Sequence, residues 1–359
     1  MGLPNIVITF QALANSAIQR LARGIVGIIL RDEEDNGACV LTRASQISEN
    51  LPGLGEDNKK YIENAFLGYV NGPLKVVVYV LPAAAASVSE ALKYFETQSI
   101  GYLVAPPEAL TGDITAIKAW VKDQRDNGAT PKAVLSNTAV DDIAFINFTT
   151  DGILVGYDTY TTAQYCSRIA GLIAGTPAYM SCTYAPLPEI TSVTALSKEQ
   201  MDAAIDQGQF ILFSDGERVK VGRGVNSFQN LVNDAKKNES FRKIKVVEIM
   251  DMIRDDIRIT AQNTYIGRYA NSYDNKCLLI SAINDYFHAL EKEGLLAAGK
   301  NSVEIDIAAQ EKYLAAQGVD ISNLSEQEIK EANTGAKVFL AAKVSILDAI
   351  EDISLNITI

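Results

Sequence analysis

The sequence predicts an α/β protein with a doubly wound, largely parallel sheet at its centre and a strand-like arm at each end. Three observations point there. Between residues 75 and 175, apolar runs of strand length alternate with amphipathic stretches of helix length, the pattern of consecutive βα units. Residues 5–10 and 353–359 alternate apolar and polar side chains outside that pattern. No segment of about 20 apolar residues, no fixed repeat and no low-complexity tract competes with this reading.

Each element follows from local chemistry. In NIVITF (5–10), Ile6, Ile8 and Phe10 share one face and Asn5, Val7 and Thr9 the other, as a strand requires. No positive region precedes it, so it reads as a strand rather than a signal peptide. GIVGIILRD (24–32) is a buried strand, Ser48–Gly55 a loop and Asn58–Leu67 a short helix. KVVVYVLP (75–82), GYLVAPP (101–107), KAVLSN (132–137) and AFINFT (144–149) are strands. SVSEALKYFETQ (87–98) and Asp113–Gln124 are helices between them, and Thr161–Ala174 is a helix closed by Gly175 with Pro177 beyond. Ser197 with Gln200 forms a capping box, and Leu196 with Met201 a hydrophobic staple.

FILFSD (210–215) and RVKVGRG (218–224) form a hairpin about Gly216-Glu217. VVEIMDMI (246–253) reads as a strand running into a long helix. In the helix Asp274–Leu290, Leu279, Ile283, Tyr286 and Leu290 fall at i, i+4, i+7 and i+11, a core stripe. Ile305–Gln317 is a helix closed by Gly318, and Ser325 with Glu328 caps another that ends at Gly335. Residues 336–359 read as strand to the last residue: Ile353, Leu355, Ile357 and Ile359 lie on one face, Ser354, Asn356 and Thr358 on the other.

Composition removes several function classes. Of 359 residues, 44 are acidic and 32 basic, a net charge of −12, the wrong sign for a dedicated nucleic-acid binder. A single histidine, His288, excludes most Ser-His-Asp and Cys-His mechanisms and multi-histidine zinc sites. It lies off the core stripe of its helix and reads as a solvated side chain. Cysteines 39, 166, 182 and 277 form no CxxC pair and read as reduced cytoplasmic thiols. GRGVNS (222–227) lacks the third glycine of a dinucleotide loop and lies on a hairpin; GxxxxGK[ST] and GxSxG are absent.

Two features leave alternatives. Asp251, Asp255 and Asp256 cluster at the expected strand-to-helix junction, where carboxylates hold Mg²⁺ in a metal-assisted α/β enzyme or complement a helix dipole. The helix Thr161–Ala174 has an apolar face (Tyr165, Ile169, Leu172, Ile173) and a smooth one (Ala163, Ser167, Ala170, Ala174), suited to tight core packing or to an intermolecular contact. The alternating ends fit edge strands of the chain's own fold or arms that add strands to a neighbouring copy.

Several blocks carry a family likeness. YCSRIAGLIAGTPAYMSCTYAPLPEI (165–190) combines an Ala/Gly-rich helix, an AGT-P exit and Thr-x-x-Pro-Leu. With NGPLKVVVYVL (71–81), GRGVNSF (222–228), KVVEIMDMIRDDI (245–257) and VEIDIAAQEKYLAAQGVDI (303–321), in that order and spacing, it resembles the tail sheath proteins of contractile phage tails and R-type bacteriocins. The likeness runs through 71–359 and fades over 1–70.

The resemblance implies a subtilisin-like but non-catalytic central domain and an α+β C-terminal domain facing an inner tube. It implies the divisions 1–22 (N-terminal arm), 23–74 (small β-containing region), 75–220 (α/β sheath domain), 221–335 (C-terminal domain) and 336–359 (C-terminal arm). Ile6, Ile8, Phe10, Ile353, Leu355, Ile357 and Ile359 would then make the contacts between subunits. The implied partners are further copies in a helical homopolymer, the inner tail tube, and baseplate and terminator proteins. Neither nucleic acid nor membrane insertion is implied, and no catalytic residue, metal or cofactor. The chain would be made in a bacterial cytoplasm and released within the particle. Another structural component of the same particle stands as the nearest alternative within that setting.

Overall fold

The computed structural model describes residues 17–230 and 238–358. They form two compact units: Leu21–Asp255 with the tail from Asp348, and Asp256–Leu347 with residues 17–20.

The larger unit runs β1 (Ile25–Asp32), β2 (Gly37–Leu41), α1 (Ile47–Asn50), α2 (Glu56–Phe66), β3 (Lys75–Pro82), α3 (Ser89–Phe95), β4 (Tyr102–Val104), α4 (Thr111–Asp126), β5 (Lys132–Ser136), β6 (Phe145–Phe148), β7 (Ile153–Val155), β8 (Asp158–Tyr160), α5 (Thr162–Ala174), α6 (Lys198–Asp206), β9 (Gln209–Phe210), β10 (Leu212–Ser214), β11 (Val219–Val221) and the first part of α7 (Ile244–Thr260). Seven strands make one sheet in the order β2-β3-β1-β4-β5-β6-β9. Every pairing in it is parallel except β2 with β3.

Alternation along the strands splits the core in two. Val26, Ile28, Leu30, Val76, Val78, Val80 and Val134 point to one face, where α2 and α5 lie over them. Ile25, Ile29, Val77, Leu81, Ala133 and Leu135 point to the other, under α3 and α4. A sheet buried on both sides explains why its strands read as continuous apolar runs. The predicted hairpin is β10–β11, with Leu212 opposite Val221. The predicted capping boxes at Ser197 and Ser325 are both present.

The α5 helix is buried along almost its whole length, and its smooth side meets α2 within the subunit. A Cβ on Gly171 would sit 1.9 Å from the Ala65 carbonyl oxygen of α2. The two backbones therefore touch with no room for a methyl group. We expect Gly171→Ala to lower stability by about 1–3 kcal/mol through overpacking. The check is a lower urea midpoint at unchanged slope.

The smaller unit holds the rest of α7, α8 (Tyr273–Lys292), β12 (Ser302–Ile305), α9 (Ile307–Ala316), α10 (Glu326–Glu331) and β13 (Leu340–Lys343), with β12 and β13 antiparallel. Ile283, Tyr286 and Leu290 of the predicted stripe are buried, and Leu279 is half-buried. No helix among the described residues is long and apolar enough to cross a membrane.

Three expectations change. Residues 246–253 are helical, not strand: all of Ile244–Thr260 is α7. The β-branched pair Val246-Val247 suggests a strand, but Val246, Val247, Ile249 and Met252 are all buried on the helix, and packing overrides the propensity. The segment opening at Ile305 starts as β12, and the helix begins only after Asp306, whose side chain accepts from the Ala309 N–H at 2.9 Å. Among the described residues of the tail, 336–358, strand covers only Leu340–Lys343, where β12 supplies a partner.

Candidate subunit interface

Beyond β13 the chain makes a last bridge, Leu296 with Ile346. The Leu347 N–H then donates to the Leu295 carbonyl at 2.9 Å. Residues 348–358 have no strand partner among the described residues. Of the seven predicted contact residues, Ile353, Leu355 and Ile357 are 82%, 76% and 76% exposed. Ile6, Ile8, Phe10 and Ile359 lie outside the described residues. The uncharged, alternating ISLNIT, with its apolar row in water and no ladder partner among the described residues, is open to strand pairing.

The root of this tail is held tightly. Glu351, whose side chain is 5% exposed, sits in a polar socket drawn from three distant segments. The Thr183 hydroxyl donates to its carboxylate at 2.5 Å and the Ser181 hydroxyl at 3.1 Å. The Lys243 ammonium pairs with it directly, and Arg223 Nε lies at 3.5 Å. Arg223 also donates to Asp352 at 2.7 Å, and Lys243 lies 3.6 Å from Asp348. Burial opposes the charge on Glu351, but the Lys243 ammonium and the two hydroxyls outweigh it and hold the carboxyl below the usual range.

Gly224 completes the socket. Its N–H donates to Thr183 Oγ1 at 2.9 Å, and a Cβ there would meet Cys182 Sγ at 2.9 Å. GRGVNSF is thus no phosphate cradle: Gly224 and Arg223 close on the 181–183 turn and the tail. Sequence reasoning missed Glu351, Asp352, Arg223, Lys243, Ser181 and Thr183 as a group. The available signal was the acidic pair Glu351-Asp352, the last charges before an uncharged alternating tail.

The three aspartates do not converge. Asp251 takes both amino groups of Arg125 at 3.0 and 2.9 Å and the Lys132 ammonium at 2.9 Å. Asp255 accepts from the Thr130 hydroxyl at 2.5 Å. Asp256 accepts from the Tyr286 hydroxyl at 2.7 Å, with Arg20 at 3.4 Å. They lie within α7, not at its start, and among the described residues no group of three or more His, Cys, Asp or Glu is placed to hold a metal.

Strand order reverses around β1 and β4, where an α/β enzyme would bind its ligand beyond the strand ends. At the end of β1, Arg31 is committed to structural partners, donating to both Asp113 oxygens at 2.9 Å and to the Ala85 carbonyl at 3.1 Å. His288 is exposed, 3.2 Å from Glu291. All four cysteines are free. Burial pushes the Cys182 thiol up to about 12 and raises Cys166 as well, so both behave as small apolar groups.

Comparison with known proteins gives a consistent result. Residues 82–227 match the family described as phage tail sheath protein central domain, and residues 236–359 that described as phage tail sheath C-terminal domain. The chain is 37% identical over 363 residues to the tail sheath protein of Clostridium phage phiCD119, spanning 99% of each. The crystal structure of a sheath tail protein from Desulfitobacterium hafniense superposes with a TM-score of 0.70 at 16% identity, over 84% of this chain and 94% of that one. The helical sheath of the anti-feeding prophage, in its contracted state, superposes with a TM-score of 0.72 at 15% identity, over 100% of this chain and 99% of that one.

Proposed function

Because the chain belongs to the phage tail sheath family and is a structural subunit of a tail sheath, we propose that it polymerises around an inner tube through its terminal arms and contracts by rearranging those linked subunits. The observation that carries this is the tail beyond Asp352: an anchored, uncharged, alternating segment that has no strand partner among the described residues. Paired with a neighbour's sheet edge, it would gain main-chain hydrogen bonds and bury its isoleucines, with side-chain alternation fixing the register.

Each copy carries a net charge of −12, so contacts between copies must be apolar or locally charge-matched. A tail without charged side chains from Ile353 to Thr358 meets that condition. Assembly in an extended state and relaxation to one with more buried contact would supply the work of driving the tube into a target cell, without nucleotide hydrolysis. Baseplate and terminator proteins would set the start and end of the polymer. The subunit performs no catalysis in this reading. Arg31 is paired with Asp113, and the aspartates of α7 are committed to separate partners.

Negative-stain microscopy of the purified chain tests the proposal. Hollow tubes of uniform diameter are expected. Discrete monomers or dimers under all assembly conditions, with a turnover activity that mutation of Asp251, Asp255 and Asp256 removes, would establish the enzyme reading instead. Ile8→Pro removes a ladder donor from the N-terminal segment, and we expect tube yield to fall severalfold; an unchanged yield rules out strand pairing through that arm.

A further inference from the structure

We propose that Glu351 is the fixed root of the C-terminal arm, tying it to the α/β unit and confining its flexing to residues beyond Asp352. This rests on the arm reading above. Without the socket, the last attachments before the free tail are the Ala297 N–H to the Ser345 carbonyl at 2.8 Å and the Leu347 N–H to the Leu295 carbonyl at 2.9 Å. Both belong to the Asp256–Leu347 unit. With the socket, the root moves to Ser181, Thr183, Arg223 and Lys243, all in the α/β unit. Any pull that a neighbour exerts along the arm is then delivered to the parallel-sheet unit.

The chemistry suits an anchor. A carboxylate bonded by two hydroxyls and a lysine, and flanked by an arginine, is held by charge-assisted hydrogen bonds, stronger than neutral ones and set in a nearly dry site. Asp348 and Asp352 brace it on either side through Lys243 and Arg223. The charged run Asp348–Asp352 is thus the joint, and the uncharged run after it the moving part. The joint also sets a reach. At about 3.4 Å per residue, residues 353–358 extend at most about 20 Å, against about 37 Å for residues 348–358 if the root were at Leu347. A neighbour's acceptor edge farther than about 20 Å from Asp352 is therefore out of reach of ISLNIT.

Chymotryptic cleavage of the full-length, unpolymerised chain, read by mass spectrometry, tests the joint. In the wild type, cleavage after Leu355, 76% exposed, should outpace cleavage after Leu347, 41% exposed and held through its N–H to Leu295. In Glu351→Ala, cleavage after Leu347 should accelerate by about tenfold or more, the loss expected for hydrogen bonds to a buried charge, while Leu355 is unchanged. Glu351→Gln, which keeps the volume, serves if the alanine variant does not fold, and should accelerate the same cut. Equal cleavage after Leu347 in wild type and in the folded variant overturns the proposal. The arm reading is judged separately, by whether a chain ending at Asp352 still forms tubes, so either can fail without the other.

Discussion

A chain ending at Asp352 should fold normally and form no tubes. The residues removed make no strand pairing among the described residues, and Ile353, Leu355 and Ile357 are largely in water. Among the described residues their loss takes little buried apolar surface from the subunit, so the melting temperature should stay within about 2 °C of the full-length value. Glu351 and Asp352 remain, and with them the socket. The loss would fall instead on association, where the same residues would supply main-chain bonds and the apolar row that fixes register. Electron microscopy and sedimentation of the two chains side by side give the result. Tubes of normal length from the shortened chain would show that subunits link without the C-terminal arm.

The largest stability effect should come from Asp251. Its side chain is 4% exposed and neutralises Arg125 and Lys132 at once, Lys132 being 4% exposed itself and also 2.9 Å from Glu248. Tyr102 donates to Glu248 and completes the network. The cluster ties α7 to β4, β5 and α4. Asp251→Ala leaves a buried guanidinium and a buried ammonium short of a counter-charge, and removing one member of such a cluster costs about 3–5 kcal/mol. Replacing Asp251 and Lys132 together by apolar residues should recover much of that loss. Urea unfolding of the single and double variants measures both.

The same carboxylate fixes a pH dependence. Burial opposes its ionisation, but Lys132 and Arg125 together hold it below the usual range. A group whose folded value is depressed contributes stability above its unfolded value of about 3.9 and loses it as pH falls towards the folded value. Wild-type stability should therefore drop on acidification below about pH 4, and Asp251→Asn, weaker throughout, should show a shallower drop over that window. Equal slopes in the two proteins would mean that other carboxylates carry the acid response.

The architecture was legible where periodicity and capping agree. Residues 75–82 and 162–174 form their predicted elements almost to the residue, because a strand buried on both faces and a capped helix each impose a local pattern. Val246-Val247 misled because β-branched residues report a preference that packing of Ile249 and Met252 overrules. Glycine gave type but not reason: nothing local to Gly171 says that the Ala65 carbonyl will press against it.

The candidate interface divides the same way. The alternation of Ile353, Leu355 and Ile357 marks a strand pattern, and local spacing alone sets which side chains would share its face, since the pleat has period two. It could not say that this strand would be left without a partner, because ladder hydrogen bonds join segments that no sequence spacing relates. Nor could it place Glu351. An acidic residue near a chain end reads as solvated until Ser181, Thr183, Arg223 and Lys243, from 108 to 170 positions away, are brought around it. Local periodicity is written residue by residue and survives in one dimension. Sockets, ion clusters and backbone contacts depend on the meeting of remote segments and come into being only when the chain folds.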